Sequence, residues 1–275
     1  MVAQRLSESF GRQFVVENLP NAAGGTRAAE AVARAQADGY TLFLTAGSVL
    51  AILPAVTKTT YDPVNDFAPI SVIGTNSFVL VVHPSIPVKT LPEFVDYVRK
   101  QPNKLSYVIS GHLGVGHVAM AKFLQLAGLE MIQVTYRGGG AAPMADLLAG
   151  HVPIFLAPLS DALQHARSGA LRLLAVSSEK RAAQIPDVPT FIESGFPGFK
   201  SLSWNGLLAP AGTPKPIIDQ IAKEIAGAVK APKFVERLDS FGVEPLGNTP
   251  EEFTVMLAAD IPFWGEAAKI AAQEK

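Results

Sequence analysis

Side chains able to do covalent chemistry are few in this chain. It has no cysteine and no Gly-x-Ser-x-Gly nucleophile elbow, and its histidines are five: His83, His112, His117, His151 and His165. Without a thiol, neither a disulfide framework nor thiolate metal ligation is open to it. His112 and His117 are not at the i, i+4 spacing that puts two imidazoles on one helical face, so no metal site is expected from them. As acid–base groups, His112 falls in a loop and His117 on the first turn of a helix. Either could serve as the base of an α/β enzyme acting on a small organic acid, or could simply pack and hydrogen-bond.

Three glycine-rich turns say more. Asn21-Ala22-Ala23-Gly24-Gly25-Thr26, Ser110-Gly111-His112-Leu113-Gly114-Val115-Gly116 and Tyr136-Arg137-Gly138-Gly139-Gly140-Ala141 each follow a short apolar run and open a helical pattern. In an α/β sheet the loops at the carboxyl ends of the strands line one crevice, and free N–H groups at a helix start favour an anion there. Each helix end contributes about 0.3 to 1 kcal/mol to a nearby carboxylate, less than its desolvation costs, so several turns have to converge. The second turn reads G-x-x-G-x-G, not the dinucleotide fingerprint, and no acidic residue stands where a ribose would be held. Gly138 to Gly140 lack the following Lys and Ser/Thr of a phosphate loop. No nucleotide cofactor is expected; the turns point to a small anionic ligand.

The elements that must carry these turns follow a βαβ grammar. Strand patterns occupy Phe14 to Glu17, Tyr40 to Thr45, Phe78 to His83, Leu105 to Ile109, Ile132 to Tyr136, Val152 to Leu156, Leu171 to Val176 and Leu202 to Leu208. Helical patterns occupy Met1 to Gly11, where Gly11 is the stop, then Thr26 to Ala35, Ser48 to Val56, Thr90 to Gln101, 115–127, 141–149 and 160–167. After Leu208 the chain is entirely helical, with Thr213-Pro214 opening one helix and Thr249-Pro250-Glu251-Glu252 capping the last. Two proline-punctuated passages, His83 to Pro87 and Ala209 to Pro214, mark domain crossings. Two crossings give a discontinuous first lobe, 1–85 plus 207–275, and a second lobe, 86–206. Trp204, beside the second crossing, either fills a core there or meets a ligand.

Bulk properties narrow the partners. With 48% apolar residues, 17% charged residues and a net charge of -1, the chain carries no electrostatic footprint for nucleic acid. Its longest apolar runs fall far short of the ~20 residues that cross a bilayer, and the polar stretch Met1 to Gly11 does not read as a secretory signal.

Read together, several stretches resemble the substrate-binding receptors of the tripartite tricarboxylate transporter system, the Bug family. They are Val16-Glu17-Asn18 through Gly24-Gly25, Ala37-Asp38-Gly39-Tyr40-Thr41-Leu42, Tyr61 through Pro69, Val81-Val82-His83-Pro84, Tyr136-Arg137-Gly138, Pro186-Asp187-Val188-Pro189-Thr190 and Trp204 through Pro214, and they span essentially the whole chain. The resemblance implies a two-lobed periplasmic-binding-protein fold, each lobe a mostly parallel sheet flanked by helices, joined by two crossing strands. It also implies a monomer that closes on a small organic carboxylate and delivers it to the membrane permease subunits of a transporter, without chemistry. Carried over by position, it points to Gly24, Gly25, Gly47, Ser48, Ser110, Gly111 and Trp204 as ligand contacts, with His112 and Arg137 beside them.

Two departures from the family pattern carry expectations. The family begins with a strand and a proline- and glycine-rich loop before the helix with which this chain opens. A missing strand and ligand loop are therefore expected, and with them either reduced affinity or a relative that does not bind. In addition, Val49-Leu50-Ala51-Ile52-Leu53-Pro54 replaces a stretch usually rich in Thr, His and Asn, which favours a longer aliphatic or aromatic carboxylate over citrate.

Overall fold

The computed structural model describes residues 1–19, 25–111, 113–136 and 141–273. In chain order its elements are α1 (Val2–Phe10), α2 (Thr26–Ala33), β1 (Phe43–Ala46), α3 (Gly47–Ala51), α4 (Leu53–Val56), β2 (Phe67–Val82), α5 (Leu91–Arg99) and β3 (Ser106–Ser110). There follow α6 (Val115–Ala127), β4 (Ile132–Tyr136), α7 (Ala141–Leu148), β5 (Ile154–Pro158), α8 (Leu159–Arg167), β6 (Arg172–Val176) and β7 (Leu202–Pro210). The chain then runs through α9 (Lys215–Ala228), α10 (Pro232–Ser240), β8 (Val243–Pro245) and α11 (Pro250–Gln273). This is a mixed α/β protein. It divides into two compact units, Met1–Thr75 with Ser203–Glu266 and Asn76–Leu202 with Ala267–Lys275. The crossings lie inside β2, at the start of β7 and within α11, rather than at the proline passages, because regular strands and a helix carry the chain from one unit to the other.

The first unit is built on β1, β7, the amino-terminal part of β2 and β8. β1 and β7 pair antiparallel, Phe43 opposite Leu208 through Ala46 opposite Asn205. Helix α9 buries the stripe Ile218, Ile221, Ala222, Ile225 and Ala228, the i, i+3, i+4 face of an amphipathic helix, in a core with Leu6, Ile70 and Leu207. A second core joins Ala29 and Val32 of α2 to Leu50, Trp204, Phe253 and Leu257. Sequence pattern and structure part company twice here. Phe14 to Glu17, a strand by composition, joins no sheet; among the described residues no strand lies alongside it, and Val15 and Val16 are exposed. The helix expected over Ser48 to Val56 is two short pieces, α3 and α4, parted at Ile52; Pro54 has no N–H to bond the Leu50 carbonyl four residues back, so the helical ladder does not run through.

The second unit is ordered β2-β5-β3-β4, with β6 on the other side of β2. β3 pairs parallel with β4 and with β5, while β2 runs antiparallel to β5 and to β6. Every residue from Phe78 to Val82 is buried, as a central strand covered on both faces requires. Helix α5 opens on Thr90, whose hydroxyl accepts from the Glu93 N–H at 3.3 Å, and buries Leu91, Phe94, Val95 and Val98. Phe123 of α6 is the hub of an aromatic cluster with Phe191, Phe196 and Phe199, ring centroids 5.1 to 6.0 Å away, an arrangement that adds to simple area burial.

Candidate functional site

In the first unit the expected ligand residues Gly25, Gly47, Ser48 and Trp204 are brought together around one turn. β1 ends at Ala46, opposite Asn205, so Gly47 continues the register to lie against Trp204. A β-carbon at Gly47 would stand 2.6 Å from Cε2 and 2.7 Å from Nε1 of that indole, inside any tolerable contact. Only a glycine lets the chain leave β1 across the ring and enter α3 with Ser48 half-buried. From the other side, the Tyr61 hydroxyl donates to the Val49 carbonyl at 2.5 Å, and burial pushes that phenol up to about 12. Gly25, at φ 96°, is the residue that enters α2, with Thr26 the first residue of the helix and not its cap. It also packs on this turn: a β-carbon there would stand 3.1 Å from Cγ2 of Val49. Val49 to Ile52, the apolar departure from the family pattern, are buried in this unit's core.

Trp204 is 1% exposed, and its indole N–H donates to Oδ2 of Asp260 at 2.6 Å. Phe253 closes on the same ring edge-to-face at 5.1 Å. Asp260 is a residue that the sequence reasoning missed. Its signal was the spacing Phe253, Leu257, Asp260, Trp264, a helical stripe with one acid set among buried apolar residues.

In the second unit, Ser110 and Gly111 sit at the carboxyl end of β3, and parallel pairing aligns Ser110 with Tyr136 at the end of β4. Two of the glycine turns therefore leave neighbouring strand ends. Gly111, at φ 98°, donates its N–H to the Tyr136 carbonyl at 3.1 Å. The next glycines of the motif serve helix entry and packing: Gly114 caps α6, and a β-carbon at Gly116 would stand 3.1 Å from the Leu156 carbonyl.

His117 is 2% exposed and held at both nitrogens. Nδ1 accepts from the Leu113 N–H at 3.1 Å, so Nε2 carries the proton and donates to Oε1 of Gln133, also at 3.1 Å. The bond to Leu113 steadies a non-glycine residue at φ 60°, and so shapes the loop between β3 and α6. With both nitrogens so occupied, the imidazole is a brace for that loop. Tyr136 is braced too: its hydroxyl donates to Oδ2 of Asp146, whose Oδ1 faces Nδ1 of His151 at 3.3 Å. That hydrogen bond, more than burial, raises the Tyr136 phenol to about 12 and holds the Asp146 carboxyl below its ordinary range.

Gly24, His112 and Arg137 lie outside the described residues. Ala157 is buried in β5 opposite Val79. A separate cleft of about 860 Å³ in the first unit, lined by Phe10, Phe14, Tyr40, Leu42, Ile217 and Ile221 among others, includes none of the expected ligand groups. Among the described residues no three His, Asp or Glu side chains gather as a metal site requires.

Paired turns at strand ends, backed by buried aromatic and hydrogen-bonded braces, define a binding scaffold of solute-receptor type. Residues 1–269 match the tripartite tricarboxylate transporter family receptor, and the chain belongs to that family of receptors, which are not enzymes. Among relatives, Protein BugT of Bordetella pertussis is 30% identical over 269 residues, covering 96% of this chain and 81% of its own. The R. palustris protein Rpa4515, solved with adipate, superposes with a TM-score of 0.87 at 33% identity, over 98% of this chain and 90% of that one. MatC from Rhodopseudomonas palustris, solved with bound malate, gives a TM-score of 0.82 at 27% identity, over 97% and 92%.

Proposed function

We propose that this chain is a monomeric periplasmic receptor for a small aliphatic dicarboxylate, which it hands to the membrane permease subunits of a tripartite tricarboxylate-type transporter. The observation that carries the reading is the adipate held by Rpa4515, a protein matching 98% of this chain. Malate in MatC supports the same ligand class. The groups proposed to hold the carboxylate are backbone N–H donors of Gly24, Gly25, Gly47 and Ser48 in the first unit and the Ser110–Gly111 turn in the second, where Gly111, its own N–H taken by the Tyr136 carbonyl, leaves room for close approach. The hydroxyls of Ser48 and Ser110 add to them, and His112 and Arg137 flank them. Trp204 acts from beneath, by holding Gly47. A carboxylate leaving water needs several donors at once, and charge-assisted bonds to main-chain N–H groups supply them without a buried counter-charge.

No helix among the described residues is long and apolar enough to cross a membrane. Adipate is expected ahead of citrate because citrate brings a third carboxylate and a hydroxyl to be satisfied, while Val49 to Ile52 are taken up by the core of the first unit. The test is a thermal-shift and calorimetric series with adipate, malate and citrate. A ligand at a hundred times its Kd stabilises the native state by about 2.7 kcal/mol. The expected order is adipate, then malate, then citrate, without turnover. No shift with any of the three would overturn the reading, as would consumption of the ligand.

A further inference from the structure

We propose that Asp260 is a positioning residue for the Gly47–Ser48 turn, acting through Trp204; its bearing on affinity rests on the receptor reading above. The indole is gripped from α11 at two places seven residues apart, a spacing that puts both on one helical face. Phe253 meets the ring edge-to-face at 5.1 Å, and Asp260 takes the indole N–H at 2.6 Å. Gly206, on the same strand as Trp204, leaves the ring no slack on the far edge. A β-carbon there would stand 2.5 Å from Cζ of Phe253 and 2.9 Å from Cζ3 of Trp204.

Gly47 rests against the edge that Asp260 holds, since its closest approaches are to Cε2 and Nε1. Where the indole sits therefore decides where the main chain leaves β1 and where the N–H groups of Gly47 and Ser48 point. A buried tryptophan needs some acceptor for its N–H, and any carbonyl would serve that need. A half-buried carboxylate costs more to desolvate and makes a shorter, more directional bond, which suits fixing a position better than filling a core.

The experiment compares Asp260→Ala, Asp260→Asn, Trp204→Phe and the Asp260→Ala/Trp204→Phe double variant in the full chain. Adipate affinity is read by calorimetry and amide exchange of residues 46–49 by mass spectrometry. Asp260→Ala and Trp204→Phe are each expected to weaken adipate about tenfold, the scale of one hydrogen bond to a charged group, with the double variant no worse than either single one. Asp260→Asn, which keeps a carbonyl acceptor, is expected to recover most of the affinity. Exchange at Gly47 and Ser48 is expected to quicken in Asp260→Ala while amides of β7 and α9 keep their protection.

Unchanged exchange at the turn in Asp260→Ala, or additive losses in the double variant, would overturn the assignment. If the wild-type chain binds neither adipate nor malate, the receptor reading falls, and exchange at the turn still decides whether Asp260 holds it. If Asp260→Ala loses protection throughout the first unit, Asp260→Asn and Trp204→Phe decide by the same two measurements.

Discussion

Tyr136 and Gly47 show how single residues hold a turn without touching what it is proposed to bind. The Tyr136 phenol is neutral in the native state up to about 12 because its hydroxyl donates a hydrogen bond to Asp146. A group whose pKa is raised by folding stabilises the native state below its unfolded value of about 10 and withdraws that contribution as pH climbs through the folded value. Asp146 has the opposite sign: depressed by folding, it contributes above the ordinary carboxylate pKa and is lost on acidification. Tyr136→Phe is expected to halve the late tyrosinate absorbance step near pH 12, which Tyr136 shares with Tyr61, and to move the Asp146 titration upward, which carboxyl NMR shifts would follow. A late step of undiminished size would take Tyr136 out of it. At Gly47 the constraint is steric. Gly47→Ala drives a methyl into the Trp204 ring and is expected to cost about 1 to 3 kcal/mol of unfolding free energy in urea.

Among the elements, helix starts were the most readable, because a cap is a local arrangement of a few neighbouring residues. Thr249 and Glu252 form the reciprocal box that their sequence promises, with bonds of 3.1 and 2.9 Å. Thr249→Ala is expected to lower stability by about 1 kcal/mol through fraying of α11, measured as a fall in the urea midpoint at unchanged slope. Thr190 and Glu193 make the same box at 3.0 and 2.7 Å, and it passed unread because no helical pattern follows it.

Strands were legible where the run is apolar on both faces, as in Phe78 to Val82, and misleading where composition outran pairing, as in Phe14 to Glu17. Glycines in the turns were legible as a group, while their separate duties were not. Gly111 serves a positive φ and Gly116 a helix–strand approach, and that division depends on residues distant in sequence. The partner of Asp260 was out of reach for the same reason: 56 positions separate the carboxylate from the indole it holds.

At the scale of the molecule, the family assignment and the division into two units rest on different observations, the one on similarity along the chain and the other on how contacts cluster. β1 stands at the end of the strand order, and Leu44 on it is 55% exposed with Tyr40 nearby at 82%. Among the described residues no strand pairs with the outer edge of β1, and such an edge with apolar side chains is a template for pairing with another chain. Leu44→Lys is expected to slow aggregation of the heated chain in light scattering while leaving its melting temperature nearly unchanged. Equal scattering from both proteins would acquit that edge.

Helix α11 begins in the first unit and ends in the second, where Ala267, Ala268 and Ala271 are fully or almost fully buried. The first unit also waits for Ser203 to Glu266. The first unit lacks parts until Glu266 has left the ribosome and the second until the turns of α11 beyond it have, so neither can finish folding before the other's segments are made. Both halves of the nascent polypeptide stay incomplete until α11 has been made, and truncation within that helix would be felt far from the cut.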